Sequence, residues 1–169
     1  ITQIMPALNK NDIVIDGGNS LYKDSIKRAK TLAQNSIYFL DVGTSGGVNI
    51  SEGKSCMMVG GERAAYEIVE PVFEALCVPY GYRLIGGSGA GHFVKGYHNF
   101  VEYGMMQAIA EGADAMKTVS EYEGFDVDIK EIMGLWNHGS INQSKLVEFT
   151  EKALDAFEIE SIDGRVLGE

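Results

Sequence analysis

Gly86-Gly87-Ser88-Gly89-Ala90-Gly91-His92-Phe93-Val94-Lys95-Gly96-Tyr97-His98-Asn99-Phe100-Val101-Glu102-Tyr103 divides the chain into two kinds of sequence. Before it, short apolar runs alternate with helical stretches and close on glycine-rich loops. After it, only helical periodicity remains. The glycines end a strand read at Tyr82–Gly86 and open a helix expected to run to about Tyr122. In that helix Lys95, His98, Asn99 and Glu102 stand at i, i+3, i+4 and i+7 and share one face. Phe93, Val94, Tyr97, Phe100, Val101, Met105, Met106 and Ile109 cover the remaining arc, so the helix is expected inside a protein. A solvated face is usually built from interchangeable Glu, Lys and Gln. Four different polar chemistries in one narrow stripe point instead to a site. A lysine partly withdrawn from water has its ammonium form disfavoured and becomes available as a base, and a neighbouring carboxyl can act as the acid.

Working back towards the start, Ile13-Val14-Ile15 is a short continuous apolar run of the kind that suits a parallel strand buried on both faces. It stops at Asp16-Gly17-Gly18-Asn19-Ser20, a loop at the strand's carboxyl end, where α/β sheets keep their ligands. Ile1–Leu8 reads as the tail of a helix. Tyr22–Asn35 reads as a crossover helix burying Ile26, Ala29, Leu32 and Ala33. Ile37–Val42 is the next strand, and it ends in Gly43-Thr44-Ser45-Gly46-Gly47. Serine and glycines at such a place expose backbone N–H groups and a hydroxyl to an anionic group. Cys56–Gly61 is a further strand, followed by a helix to about Ala75 in which Pro71 predicts a kink or a division. Downstream, Asp126–Trp136 and Ile141–Phe157 are helical by periodicity. His138, in the loop between them, fits a packing or capping residue better than a ligand. The order of elements is α/β followed by all-α: the back half of a Rossmann-like domain over residues 1–88, joined to the start of a helical domain over residues 89–169.

Composition excludes several functions. A net charge of −10, with the 14 Lys and Arg scattered, argues against nucleic acid, although a local positive pocket can still take a small anion. No apolar run is long enough for a membrane span and no secretion leader precedes the chain, so the expected location is cytoplasmic. Cys56 and Cys77 lack metal-ligand spacing and are expected as unpaired thiols, and no metal site is foreseen. Gly86–Gly91 is not the dinucleotide fingerprint, because it follows the last strand and has no acidic residue some twenty positions on.

The run Gly91-His92-Phe93-Val94-Lys95-x-x-His98-Asn99-x-x-Glu102-Tyr103-Gly104-x-Met106-Gln107 strongly resembles the substrate helix of decarboxylating 6-phosphogluconate dehydrogenases, within the β-hydroxyacid dehydrogenase superfamily. The Asp-Gly-Gly-Asn-Ser and Ser-Gly-Gly loops resemble the same family's. The resemblance implies that Lys95 is the general base and acid for the sugar hydroxyl proton and that Glu102 protonates the enediol left after carbon dioxide departs. It makes Ser45, Gly46, Gly47, His98, Asn99 and Tyr103 contacts to 6-phosphogluconate, and Asn19 a contact to both substrate and cofactor. The cofactor implied is NAD or NADP, with the residues that choose between them outside this sequence. The product is ribulose 5-phosphate.

Two alternatives stay open. Another β-hydroxyacid dehydrogenase, such as one for 3-hydroxyisobutyrate, shares Ser-Gly-Gly and the lysine, but the His98-Asn99-x-x-Glu102-Tyr103 continuation favours the sugar acid. A non-catalytic binding or assembly module would use the polar stripe only to satisfy itself. The chain, starting at Ile1 and stopping at Glu169, is expected to be an excerpt with little turnover by itself, and the complete protein is expected to be a homodimer.

Overall fold

The structure, a computed structural model, describes residues 1, 3–46 and 54–156. These fall into two compact units, Ile1–Phe100 and Val101–Glu169.

The first unit is built on a four-stranded sheet in the order β1-β2-β3-β4. The strands are β1 (Ile13–Asp16), β2 (Tyr38–Ser45), β3 (Ser55–Gly61) and β4 (Cys77–Gly86). Helix α1 (Tyr22–Ala33) connects β1 to β2 and helix α2 (Arg63–Leu76) connects β3 to β4, so both pairs run parallel. Strands β2 and β3 pair antiparallel, Leu40 opposite Gly61 and Ser45 opposite Cys56.

Double-sided burial explains why β2 reads as a continuous apolar run. Leu40 and Val42 point into a cluster with Val59, Ala65, Tyr66 and Phe73, beneath α2. Phe39 points the other way, into a cluster with Leu32 and Ile37. Leu40, Val59 and Leu32 are fully enclosed, each stabilising the unit by about 1.5–3 kcal/mol relative to an exposed side chain.

Three expectations need correction here. The opening segment is a short 3-10 turn, Met5–Ala7, not the end of a longer helix among the described residues; Pro6 fits only a first turn. Pro71 neither divides α2 nor ends it, and the helix runs on to Leu76. Strand β4 begins at Cys77, well before Tyr82, because register shifts against β3 and a positive φ of 65° at Tyr80 absorb the irregular Val78–Gly81 stretch.

Helix α3 (Ala90–Glu123) starts in the first unit and continues into the second, which adds α4 (Ile129–Trp136) and α5 (Lys145–Ala156). Gly124, at φ 73°, stops α3 in the left-handed conformation that favours glycine. Asp128 caps α4 by accepting the Glu131 N–H at 3.1 Å, and Ser144 accepts the Val147 N–H at 3.2 Å, which starts α5 four residues later than Ile141. Ala113, Ile129, Met133 and Val147 form this unit's core. His138 turns back to the Gly134 carbonyl at 2.7 Å, the capping role its position suggested. Among the described residues, the apolar arc of α3 is not enclosed. Phe100 is 75% exposed and Tyr97 61%, where the sequence pattern predicts an interior helix.

Candidate active site

Residues 41, 43 and 45 alternate on one face of β2, at its carboxyl end, and each meets the start of α3. Asp41 is fully buried. Its carboxylate accepts the backbone N–H of Gly89 at 2.6 Å and of His92 at 2.9 Å, capping the helix from across the sheet. Gly43 comes next. A Cβ there would lie 2.4 Å from Lys95 Cβ and 2.6 Å from the Gly91 carbonyl oxygen, so the helix passes directly over the strand. Ser45 is last, with Oγ 3.2 Å from His98 Nε2. Gly60 on β3 and Gly91 on α3 complete the clearance: a Cβ on Gly91 would fall 2.3 Å from the Asp41 carbonyl oxygen. Two residues of strand and one turn of helix advance by similar amounts, about 6.7 and 5.4 Å, which lets three successive strand positions engage two turns of α3.

The polar stripe predicted for the helix closes on His98. Lys95 Nζ lies 3.3 Å from His98 Nδ1, and Asn99 Oδ1 lies 3.3 Å from the same nitrogen. A protonated Lys95 can only donate, which makes Nδ1 the acceptor and puts the ring proton on Nε2, aimed at Ser45 Oγ. A neutral Lys95 lets the ring reverse, so that Nδ1–H donates to Asn99. The imidazole therefore stands between the lysine and the serine at the strand end. Lys95, His98 and Asn99 are half-buried. Glu102 is half-buried and Tyr103 is 50% exposed, both on the stretch of α3 that belongs to the second unit.

At the carboxyl end of β1, Asp16 organises the neighbouring loop. It accepts the Gly18 N–H at 3.2 Å and the Ser20 hydroxyl, and pairs with Arg28 at 2.8 Å. Asn19 is exposed on that loop, and among the described residues a Cβ on Gly17 would meet nothing within 4 Å. Gly46 is exposed at φ 132°, a conformation glycine favours, and Gly47 lies outside the described residues. Among the described residues no three His, Cys, Asp or Glu side chains are grouped as a metal ion would need.

Residues 1–83 match the NAD-binding domain of 6-phosphogluconate dehydrogenase, and residues 91–164 match the C-terminal domain of the same enzyme. The chain belongs to the 6-phosphogluconate dehydrogenase family. It is 39% identical over 167 residues to the NAD⁺-dependent decarboxylating 6-phosphogluconate dehydrogenase of Haloferax volcanii, covering 96% of this chain and 53% of that one. It is 40% identical to the NADP⁺-dependent decarboxylating enzyme of Bacillus subtilis, covering 89% of this chain and 32% of that one. Among solved structures, Plasmodium falciparum 6-phosphogluconate dehydrogenase superposes with a TM-score of 0.77 at 30% identity, over 90% of this chain and 33% of that one. The chain thus spans about half the length, or less, of these curated relatives. A Mycobacterium tuberculosis 3-hydroxyisobutyrate dehydrogenase shares the fold, with a TM-score of 0.68 at 22% identity.

Sequence reasoning passed over Asp41, Ser25 and His92. All three are buried, with Ser25 Oγ 2.7 Å from His92 Nδ1. A signal existed for one of them: an Asp inside an otherwise apolar strand needs a partner wherever it is buried. The partners, two backbone N–H groups, leave no trace in residue identity.

Proposed function

We propose that this chain, within its complete protein, carries the substrate side of an oxidative decarboxylase that converts 6-phosphogluconate to ribulose 5-phosphate and carbon dioxide with NAD or NADP. The observation that carries the reading is Lys95, half-buried over Gly43 with Nζ 3.3 Å from His98 Nδ1, a lysine within hydrogen-bond reach of an imidazole. When bound, the nicotinamide cofactor accepts the hydride from C3 of the sugar acid. Lys95 takes the C3 hydroxyl proton as that hydride leaves. Its ammonium then donates to the new ketone oxygen, drawing in the electron pair freed as the C1–C2 bond breaks and carbon dioxide departs. Glu102 delivers a proton to carbon and completes the ketopentose. Ser45, Gly46, Gly47, His98, Asn99 and Tyr103 hold the substrate, and Asn19 stands between substrate and nicotinamide. Residues 1–88 serve as the rear of the nucleotide domain and residues 89–169 as the front of the helical domain. The protein works in the cytoplasm, as a homodimer.

Lys95 and Glu102 should fail differently in the full-length enzyme. Lys95→Met should slow reduced-nicotinamide formation by roughly 10²–10⁴-fold in a single turnover. Glu102→Gln keeps shape and hydrogen bonding, so reduced nicotinamide and carbon dioxide should form at near wild-type rates while ketopentose formation stalls. Wild-type nicotinamide reduction by Lys95→Met, or wild-type ketopentose formation by Glu102→Gln, would remove the respective assignment.

A further inference from the structure

We infer, on the reading of Lys95 as the base proposed above, that Asp41 is a positioning residue for that lysine. Asp41 is 0% exposed and its two carboxylate oxygens divide their labour: Oδ1 takes the Gly89 N–H at 2.6 Å and Oδ2 the His92 N–H at 2.9 Å. Helix N-termini are ordinarily capped by a Ser, Thr, Asn or Asp of the helix's own first positions, which leaves the helix free to move as a body. Here Gly89 precedes the first helical residue and has no side chain to offer. The cap comes instead from β2, the strand that also carries Gly43 and Ser45.

A buried carboxylate is costly unless its acceptors are filled, so the two N–H groups are held to Asp41 more tightly than a neutral hydroxyl would hold them. They lie in the turn immediately before Lys95. The consequence is a fixed origin for α3 relative to β2: Asp41 sets the helix start, and Lys95 falls over Gly43 one turn later. His98 then falls beside Ser45 at 3.2 Å. His92, whose Nδ1 lies 2.7 Å from Ser25 Oγ and 4.0 Å from Asp41 Oδ2, fastens the same turn to α1. Gly60 supports the arrangement by absence, since its Cβ would lie 2.7 Å from Asp41 Oδ1. Asp41 acts on the start of α3, through the N–H groups of Gly89 and His92. Its contribution is the placement of Nζ, and a displacement of about 1 Å in such a group costs on the order of 10²-fold in rate.

The test is Asp41→Asn in the full-length enzyme. The amide can accept from one N–H but presents its own donors to the other, so the helix start shifts. Active sites are counted by the reduced nicotinamide formed in one turnover, and the rate is expressed per active site. Expected are a fall of about 10- to 100-fold in that rate, a cofactor Kd unchanged within about twofold, and a displaced limb in the pH profile that reports the base. A residue that only stabilised the fold would reduce the number of active sites and leave the rate of each one, and its pH profile, at wild-type values. That result overturns the inference. Should Asp41→Asn not fold, Asp41→Ser serves, because the smaller hydroxyl fills one acceptor role without a clash; the same two outcomes apply. Lys95→Met is run alongside. If it reduces nicotinamide at the wild-type rate, the reading of Lys95 fails; if it is inactive while Asp41→Asn is normal, only the role of Asp41 fails.

Discussion

Gly91 and Gly96 lie five residues apart on α3 and answer to opposite pressures. A methyl group at Gly91 would meet two backbone carbonyl oxygens, Asp41 O at 2.3 Å and Met58 O at 2.5 Å, and neither can swing aside. Gly91→Ala should therefore destabilise the protein by about 1–3 kcal/mol or more, through the lifting of the helix from the sheet. Among the described residues nothing lies within 4 Å of a Cβ on Gly96, and its backbone is helical. Gly96→Ala should stabilise by up to about 1 kcal/mol, the difference in helix propensity. Urea denaturation of the two variants beside wild type decides the matter. Equal effects, or a reversal, would mean that α3 does not press on β2 as described. The sequence shows both residues as glycines in a helix, and nothing local distinguishes them.

At the scale of the element, α5 is laced by a charge cluster that makes its stability respond to acid. Glu148 receives Lys145 at 2.7 Å and Lys152 at 2.6 Å. Hydrogen bonds from the two ammonium groups hold its carboxyl down at about 2, from an ordinary value of 4.5. The folded value is the lower one, so the ionised form is favoured by folding. The stabilisation is present in full above pH 4.5 and disappears as pH falls towards 2. An NMR titration should place the Glu148 carboxyl well below a free glutamate, and Glu148→Gln should flatten that part of the acid-stability curve. Both lysines are exposed and salt screens the cluster, so the titration should move upward in high salt. A Glu148 titrating like a free glutamate at low salt would show that the cluster is not formed. The i, i+3 and i, i+4 spacing of these three residues is legible in the sequence.

For the whole molecule, the apolar arc of α3 is the feature left open among the described residues. Phe93, Tyr97, Phe100 and Val101 are all at least 43% exposed, more than solvated helix faces usually carry. Together with the length of its relatives, this supports the proposal that further chain and a second subunit cover the arc. The complete protein should sediment as a dimer at micromolar concentration. A stable full-length monomer would count against it.

The sequence by itself determined the fold class and the family. Apolar runs of strand length, helical periodicity and the Lys95-x-x-His98-Asn99-x-x-Glu102 spacing are local patterns, and local patterns survive without knowledge of what packs where. It also placed the groups on α3 that can carry chemistry, since one helix face is fixed by 3.6 residues per turn. Only the tertiary structure decided that β2 and β3 run antiparallel, that Ser45 meets His98, and that Asp41 caps a helix 48 residues further along the chain. Those facts depend on backbone N–H groups and on room left by missing Cβ atoms at Gly43, Gly60 and Gly91. A hydrogen bond to the main chain names no residue, and an empty space has no letter, so neither could be read before the chain was folded.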